Sequence, residues 1–591
     1  MKRFILIVFV VFNSCYNPIE NKKPNVIIVM TDDQGFGDLG INKNPNIITP
    51  NIDQFASESV RFDNFFVSPV CAPTRASLMT GRYSLRTGVR DTYNGGAIMS
   101  NNETTIAEIL KEANYATGIF GKWHLGDNYP FRPSEQGFDE SIIHLAGGIG
   151  QVGDFTNYYK GNTSYFDPIL WKNNKKNQYD GYCSDIFAEN AVKFIEKNKN
   201  KPFFCYLSFN APHTPLQVPK KYYNMYKDLD PEVGFKDESL ASKMSEKDKE
   251  DARRIYGMVT NIDDNVGKVL NKLTELGIEE ETIIIFMTDN GPQQFRYNSN
   301  MKGLKGTVYN GGTRVPFYIK YAEKFKNSKV ISRMSAHIDI LPTILELCNL
   351  KIPSDRKIDG QSLVPLINSK PFNDRHLFSY WTRRFPEKYI NMSIQNDNYK
   401  LVGNNDYNGK IKDFELYDLI ADPLESKNVI NQNIEIAKSF KIEMDNSIDD
   451  LLSSENIKNP PRIIIGSEFE NPTVLNRNDA SGERGIWAQN DIYSYWKVNF
   501  KKGTYDFKFK FKDSITSKGT LFTEINNRVY SKKTEKVVYS TLEMNDISIE
   551  NSKVDLISFY CRRQIQGFQG PDQTLLGRPD HHTRLRVFLF L

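Results

Sequence analysis

The chain has 591 residues, of which 39% are hydrophobic and 25% are charged, and its formal net charge is +4. This length leaves room for more than one buried core, because single cores stop growing at roughly 250 to 300 residues. The composition is that of an ordinary globular protein, and so small a net charge on so long a chain does not by itself indicate a polyanion-binding role, so nucleic acid is not expected as a partner.

The N-terminal segment, MKRFILIVFVVFNSC, has a basic start and an apolar run from Phe4 to Phe12. The run is too short to span a bilayer, so residues 1–23 are predicted to be a signal peptide and the protein is expected to be exported. Ser14 directly before Cys15 resembles a bacterial lipoprotein cleavage site, although the residues before it fit the usual pattern poorly. Two outcomes stay open: an acyl anchor on Cys15, which would place the protein at the outer membrane, or ordinary cleavage nearby and a periplasmic location.

The other cysteines are too few and too scattered for a disulfide framework, and none has the paired spacing of a zinc site. They are Cys71, Cys183, Cys205, Cys348 and Cys561.

Over residues 24–375, short apolar runs bounded by turn residues alternate with amphipathic stretches. In residues 245–273, apolar side chains recur at steps of three and four, which predicts a helix with one buried face. The alternation predicts an α/β domain with a mostly parallel sheet. The runs predicted as strands are NVIIVM (25–30), YATGIFG (115–121), PFFCYLSF (202–209), TIIIFM (282–287) and VPFYIKY (315–321).

Two further regions follow. Short strand-like pieces such as HLFSYW and NYKLVG, followed by a helical run to about Leu452, predict a smaller antiparallel α+β subdomain over residues 376–455. Alternating segments such as YDFKFKFK predict a β-rich accessory module over residues 456–591. The last 38 residues contain no Lys or Asn after Lys553. This bias predicts a frameshifted or otherwise non-native end, the alternative being chance composition of a terminal strand.

Polar side chains follow four of the predicted strands. In an open α/β sheet, ligands bind beyond the carboxyl ends of the strands, so these side chains are predicted to share one site. Each has an ordinary alternative: a helix cap for the aspartates, a hairpin turn for Asp-Asn-Gly, or a buried structural role for a lone histidine. Their joint position favours the site. The four segments are TDDQG (31–35), GKWHLG (121–126), NAPHTP (210–215) and TDNGP (288–292).

The carboxylates of Asp32, Asp33 and Asp289 and the amide of Asn290 are hard oxygen ligands, which favour Ca²⁺ or Mg²⁺ over zinc. Ca²⁺ is the expected ion, because it tolerates an irregular shell whereas Mg²⁺ keeps its waters.

One further segment, PVCAPTRASLMTGR at residues 69–82, contains Cys-x-Pro-x-Arg. The stretch CAPTRASLMTGR resembles the signature of the type I sulfatases in the alkaline phosphatase superfamily. TDDQGFGD, GKWHLG, APHTP, TDNGP and KGTVYNGG are similar to that family's other motifs and occur in the same order. The resemblance covers roughly residues 24–455. It implies an alkaline phosphatase-like α/β/α sandwich that hydrolyses sulfate esters, expected here to be those of sulfated carbohydrates.

The resemblance also implies that Cys71 does not act as a thiol. A maturation enzyme would read the segment around it in the unfolded chain and oxidise its side chain to formylglycine, an aldehyde. The hydrate of that aldehyde carries two hydroxyls, one to attack the sulfur and one to expel the sulfate later by re-forming the carbonyl.

The remaining roles are likewise implied by the resemblance. Ca²⁺ would be held by Asp32, Asp33, Asp289, Asn290 and the converted Cys71. Arg75 would favour the deprotonated nucleophile, Lys122 and Lys305 would hold the sulfate, His124 would act as a base, and His213 would bind substrate and protonate the departing sugar oxygen.

The chain departs from the family pattern in two places. Asn310 stands where the family often has Glu, and the loop after GFD lacks the serine or histidine of some members. Gln151 or His144 would substitute there, and Gln151 is the predicted substrate ligand.

Two other functions stay open. A phosphodiesterase or phosphonate hydrolase of the same superfamily would use similar cationic groups, although a two-zinc phosphatase would need a second cluster of carboxylates and histidines, which the sequence does not suggest. A catalytically inactive glycan-binding lipoprotein is disfavoured, because every motif position carries a competent residue.

Overall fold

The computed structural model describes residues 23–590, apart from residues 152, 155, 384, 405–408, 477, 482–493, 516–518, 535–538 and 562–584. The predicted signal peptide with Cys15 and most of the unusual C-terminal tail lie outside the described residues. In the part of the chain that is described, no helix is long and apolar enough to cross a membrane.

The first part of the chain alternates strands and helices. Its strands are β1 Asn25–Thr31, β2 Val60–Phe62, β3 Phe65–Phe66, β4 Ala116–Lys122, β5 Glu140–His144, β6 Ile169–Lys172, β7 Lys175–Gln178, β8 Phe203–Ser208, β9 Thr282–Thr288, β10 Phe317–Lys320, β11 Lys329–Ile331 and β12 Ser335–Ala336. Its helices are α1 Pro50–Ser57, α2 Cys71–Thr80, α3 Ile106–Glu112, α4 Cys183–Asn198, α5 Lys220–Tyr223, α6 Glu238–Ala241, α7 Glu246–Glu275, α8 Asn310–Thr313, α9 Ile340–Leu347 and α10 Val364–Ile367.

Ten of these strands form one sheet in the order β11-β2-β10-β9-β1-β8-β4-β5-β6-β7. The five central strands, β9 to β5 in that order, are parallel to one another. The run at 315–321 forms β10, which is antiparallel to β9. An apolar run does not encode strand direction, so this exception to the parallel pattern had no signal in the sequence.

Both faces of the large sheet are covered. Along β1, Val26, Ile28 and Met30 point into one hydrophobic core, while Ile27 and Val29 point into the other. Side chains of α2, α3 and α9 belong to the first core, and those of α4 and α7 belong to the second. This alternation explains why the central strands are apolar throughout. The predicted α/β/α sandwich is confirmed, and the predicted helix at 245–273 corresponds to α7.

A second, antiparallel sheet has the strand order β13-β14-β15-β16, and helix α11 packs on it. These elements are β13 Leu377–Tyr380, β14 Met392–Gln395, β15 Tyr399–Gly403, β16 Glu415–Asp418 and α11 Ile434–Leu452, followed by α12 Glu455–Lys458.

The strands from Ile463 onward form two sheets, here called the C-terminal β module. The sheet orders are β17-β19-β24-β21-β22 and β18-β25-β20-β23, and the buried side chains of both sheets form one core. Ile98 and Phe131 of the first part of the chain belong to this core. The module therefore packs directly on that first part, which is called here the large α/β region. Its strands are β17 Ile463–Ile465, β18 Thr473–Leu475, β19 Ser494–Phe500, β20 Gly503–Ile515, β21 Gly519–Ile525, β22 Arg528–Thr534, β23 Tyr539–Ile549, β24 Ser552–Cys561 and β25 Leu585–Phe590.

Candidate active site

Seven of the predicted site residues lie at or just beyond the ends of four neighbouring strands of the large sheet. Strands β9, β1, β8 and β4 are adjacent and parallel, so their carboxyl ends lie along one edge. Asp289 and Asn290 follow β9, Asp32 and Asp33 follow β1, His213 lies in the segment after β8, and β4 ends at Lys122 with His124 two residues later. The topology therefore brings together side chains that are more than 250 residues apart in sequence.

Cys71 is the first residue of α2 and is almost completely buried. The backbone of Val70 is extended before it, and the helix is capped after Thr80 by Gly81, whose left-handed conformation suits glycine. The Cys71 Sγ atom lies 3.5 Å from Nδ1 of His124. Ligand atoms of Cys71, Asp32 and Asp289 all lie within 4.8 Å of one another. Cys71 thus lies at a helix N-terminus, beside the imidazole of His124. It also lies beside a group of carboxylates, those of Asp32, Asp33 and Asp289, here called the carboxylate cluster.

Several oxygen atoms of the carboxylate cluster have no protein donor. Lys122 Nζ lies 2.6 Å from Oδ2 of Asp32, and Lys305 Nζ lies 2.5 Å from Oδ1 of Asp33. The other oxygens, Asp32 Oδ1 and Asp33 Oδ2, are buried without a hydrogen-bond partner, as is Oδ1 of Asn290. Buried unpaired oxygens are costly, and a hard cation compensates for this arrangement. The donor set therefore fits Ca²⁺.

Arg75 is fixed by three different acceptors. Its Nε and Nη2 atoms donate to Oδ2 of Asp289 at 3.0 and 2.7 Å. Its Nη1 atom donates to the Lys122 carbonyl at 3.1 Å and to Oγ of Ser208 at 2.6 Å. The guanidinium therefore links the ends of β9, β4 and β8 and adds positive charge beside the carboxylates.

Each of the two histidines has one ring nitrogen held by a backbone carbonyl. Nε2 of His124 lies 2.7 Å from the Thr92 carbonyl, and Nδ1 of His213 lies 2.7 Å from the Thr214 carbonyl. A carbonyl only accepts, so each of these nitrogens carries the hydrogen. The free nitrogens are then Nδ1 of His124, which faces Cys71, and Nε2 of His213, which lies 3.7 Å from Oδ2 of Asp33.

Burial sets the protonation of these groups. Burial and then the charge of Lys305 lower the pKa of His213 to about 3, and burial and then Lys122 hold the pKa of His124 well below its ordinary value. Burial raises the pKa of the Cys71 thiol, although Lys122 and Lys305 oppose this shift. At neutral pH, both imidazoles are therefore neutral and an unmodified Cys71 is a thiol, not a thiolate.

Two of the residues that follow strands adopt left-handed backbone conformations. Asp33 has a φ of 63° and His124 a φ of 60°. Such conformations are uncommon outside glycine and are retained where the surrounding structure over-determines them. Here they turn the chain so that both side chains face the cluster.

A cavity of about 570 Å³ opens beside Cys71 and is also lined by His124, His213 and Lys305. Gln151 lines it too, and its Nε2 atom donates to the carbonyl and hydroxyl of Thr214, each at 2.8 Å. His144 is not among the lining residues. It is fully buried at the end of β5, where its Nδ1 atom lies 3.2 Å from the Leu145 carbonyl.

Asn310 forms hydrogen bonds with residues from later in the chain. Its Oδ1 atom accepts a hydrogen bond from Lys400 Nζ at 3.1 Å, and its backbone N–H donates to Glu425 at 2.7 Å. Glu425 and Lys400 form a fully buried ion pair at 2.8 Å. A carboxylate is therefore present beside residue 310, although it comes from another part of the chain.

Several residues of the cavity wall were not predicted from the sequence. Trp381 and Arg383 follow a strand of the second sheet, Thr92 contributes through its loop, and Asn478 comes from the C-terminal β module. Trp381 Nε1 donates to Asp91 Oδ1 at 2.9 Å, and the Arg383 guanidinium lies 4.6 Å from the centre of the Trp381 ring. None of these residues follows a strand of the large sheet, which was the pattern used to find the others.

Comparison with known proteins identifies the family. A family model described as Sulfatase matches residues 24–350, and one described as N-sulphoglucosamine sulphohydrolase, C-terminal, matches residues 304–451. The chain is 31% identical over 389 residues to N-acetylgalactosamine-6-sulfatase of Mus musculus, covering 60% of this chain and 68% of that protein. It is 30% identical over 434 residues to an ulvan-active sulfatase of Formosa agariphila, with coverages of 70% and 78%. The crystal structure of Ps i-CgsB in complex with k-i-k-neocarrahexaose is similar with a TM-score of 0.63 and 28% identity, covering 74% of this chain and 94% of that one.

Proposed function

Because this chain belongs to the sulfatase family of sulfuric ester hydrolases, we propose that it removes sulfate from sulfated carbohydrates. The observation that carries the proposal is the position of Cys71, which lies beside the carboxylates of Asp32 and Asp289 and in the wall of a cavity that His124 and His213 also line. The similar proteins named for N-acetylgalactosamine-6-sulfate and for ulvan support a sulfated sugar as the substrate class.

We propose further that Cys71 acts after conversion to formylglycine by a maturation enzyme. The unmodified side chain is a poor nucleophile, because burial raises the pKa of its thiol. The hydrated aldehyde would supply an oxygen nucleophile in the same place.

Asp32, Asp33, Asp289 and Asn290 would hold Ca²⁺ together with the converted Cys71. When bound, the ion supplies positive charge that offsets charge on the sulfate oxygens and favours the deprotonated nucleophile. Arg75 adds a fixed positive charge on the Asp289 side of the cluster.

Lys122 and Lys305 would bind sulfate oxygens. Both ammonium groups lie against the carboxylate cluster, and Lys305 also lines the cavity. Each has three donors, so each can hold its aspartate and still donate to an oxygen of the substrate.

The histidines would divide the proton transfers. Nδ1 of His124 faces Cys71 without a hydrogen, so it can accept a proton from a hydroxyl of the converted side chain. Nε2 of His213 points toward the cluster, and an anionic sulfate ester beside it would favour the protonated ring. That ring would then give its proton to the departing sugar oxygen.

Trp381 contributes an aromatic ring to the cavity wall, and Gln151 and Arg383 contribute polar groups. Sugars present apolar ring faces and hydroxyl edges, so this combination suits a carbohydrate ring. We infer that Gln151 binds a substrate hydroxyl, since its amide is held at the Thr214 turn next to His213.

The test is sulfate release by protein produced together with a formylglycine-generating enzyme and assayed in Ca²⁺. The panel contains 6-sulfated N-acetylgalactosamine and N-acetylglucosamine, ulvan and carrageenan oligosaccharides, and the matching sugar phosphates. Release of sulfate from at least one sulfated sugar, without phosphate release, supports the proposal. Phosphate release alone would favour a phosphohydrolase, and no release of either would contradict an enzymatic role on these substrates.

A further inference from the structure

One wall of the cavity comes from the C-terminal β module. Asn478 follows β18, is only 4% exposed and lines the cavity beside Cys71. Its Nδ2 atom donates to the Thr92 carbonyl at 3.3 Å. Thr92 is in the loop of residues 91–95, which belongs to the large α/β region, so a side chain of the module holds a loop of the active site.

The same carbonyl also orients His124. Nε2 of His124 donates to the Thr92 carbonyl at 2.7 Å, and Nδ1 on the opposite side of the ring faces Cys71. Two hydrogen bonds therefore connect the module to the ring that lies against the reacting residue. If the Thr92 carbonyl moved, the His124 ring would rotate or lose the bond that fixes its tautomer.

The loop is held from both sides. On the module side, the Gly95 N–H donates to the Asn478 carbonyl at 3.3 Å, and Ser481 Oγ donates to the Asn94 carbonyl at 3.0 Å. On the other side, Arg383 Nη1 donates to Thr92 Oγ1 at 3.0 Å. The loop therefore has little freedom as long as the module is docked.

Packing holds Asn478 itself in place. A Cβ atom added to Gly153 would lie 2.8 Å from the Cβ of Asn478, so the two segments are in close contact. Asn476 Nδ2 donates to Asp127 Oδ2 at 2.7 Å and ties the start of the same turn to the large α/β region.

Glu470 forms further buried contacts between the module and the large α/β region. Its carboxylate accepts hydrogen bonds from Asn128 Nδ2 at 3.0 Å and from the Tyr129 N–H at 2.9 Å.

We propose that the C-terminal β module is a working part of the active site and that Asn478 is a positioning residue, which fixes the His124 ring through the Thr92 carbonyl. The module would then be required for turnover and would not be a detachable glycan-binding unit. This inference rests on the proposed function, because its readout is sulfate release.

The experiment compares full-length variants. Asn478→Ala removes the amide, and Asn478→Leu removes it but keeps a branched side chain of similar size. Glu470→Gln weakens the buried contacts between the module and the large α/β region at a point away from the cavity. For both Asn478 variants we expect kcat to fall about tenfold or more and KM to change less than threefold. Bound sulfated substrate should protect these variants against thermal unfolding as much as it protects the wild type. For Glu470→Gln we expect a lower Tm with kcat unchanged.

Unchanged kcat in both Asn478 variants would overturn the inference, and so would recovery of kcat in Asn478→Leu, which would leave packing as the only role. If Glu470→Gln loses kcat in proportion to its Tm, the module acts through general stability and the positioning role is wrong. If the matured wild type releases no sulfate, the proposed function fails instead, and the two failures are therefore distinct.

Discussion

Two buried aspartates face the same amide where the C-terminal β module meets the large α/β region. Asn476 Nδ2 lies 2.7 Å from Oδ2 of Asp127 and 3.0 Å from Oδ2 of Asp479. Burial raises the pKa of Asp127 to about 7, and the remaining contributions include the repulsion of another acid, Asp154. Burial and then the charge of Asp127 raise the pKa of Asp479 well above its ordinary value.

The sign of the effect on stability follows from these shifts. A carboxyl whose pKa is higher in the folded state than in the unfolded chain binds its proton more tightly when folded. Its stabilising effect is therefore complete below pH 4 and is lost as the pH rises to about 7. With 3.8 as the ordinary value for Asp127, the shift of about three units corresponds to a loss of up to about 4 kcal/mol in the free energy of unfolding.

The assay is urea unfolding of the wild type, Asp479→Asn and Asp555→Asn at pH 5 and pH 8. Asp479→Asn removes one of the two facing acids, so we expect it to lose at least half of the wild-type difference between the two pH values. Asp555→Asn is the matched control, because Asp555 lies in the same module with 43% of its side chain exposed, and we expect it to behave as the wild type. An Asp479→Asn protein with the wild-type pH dependence would refute the reasoning.

Three further predictions concern the site and the chain's N-terminus. Replacing Arg75 with Met should cost about 3 to 5 kcal/mol of unfolding free energy, because it leaves Asp289 buried without its partner. Equal Tm values for the wild type and Arg75→Met would contradict this loss of stability. Arg75→Lys should lower the unfolding free energy less but still abolish most sulfate release, since one ammonium cannot reach the acceptors on three strands. Chelation of Ca²⁺ should lower the Tm reversibly, with about 2.7 kcal/mol regained at a Ca²⁺ concentration 100 times the Kd, and a Tm indifferent to Ca²⁺ would argue against the ion. Cells fed a fatty-acid analogue should label the protein at Cys15, and an unlabelled mature protein that does not begin at Cys15 would disprove the anchor.

The sequence predicted that the candidate site residues following buried parallel strands would lie together. Asp32, Lys122 and Asp289 stand directly beyond apolar runs, and the parallel order of the sheet places them at one edge. Cys71 was found from its motif, since nothing in strand periodicity distinguishes the first turn of α2. Lys305 was indicated by the resemblance to the family alone, because it lies in an irregular segment between β9 and α8.

The outer wall of the cavity had no local signal. Thr92 acts through its backbone carbonyl, which any residue type would supply. Trp381 and Asn478 belong to other sheets, and only the packing of those sheets against the large α/β region brings them to the cavity. The expectation of a β-rich segment at the C-terminus could therefore be made from alternation, whereas its contact with the active site could not.

The measurement that tests the central claim most directly is mass spectrometry of the peptide containing Cys71, paired with sulfate release from the same preparation. We expect the fraction of protein carrying formylglycine at Cys71 to be proportional to the rate of sulfate release, and Cys71→Ala to release none while keeping its fold. Sulfate release at the full rate by protein in which Cys71 is entirely an unmodified thiol would contradict the account.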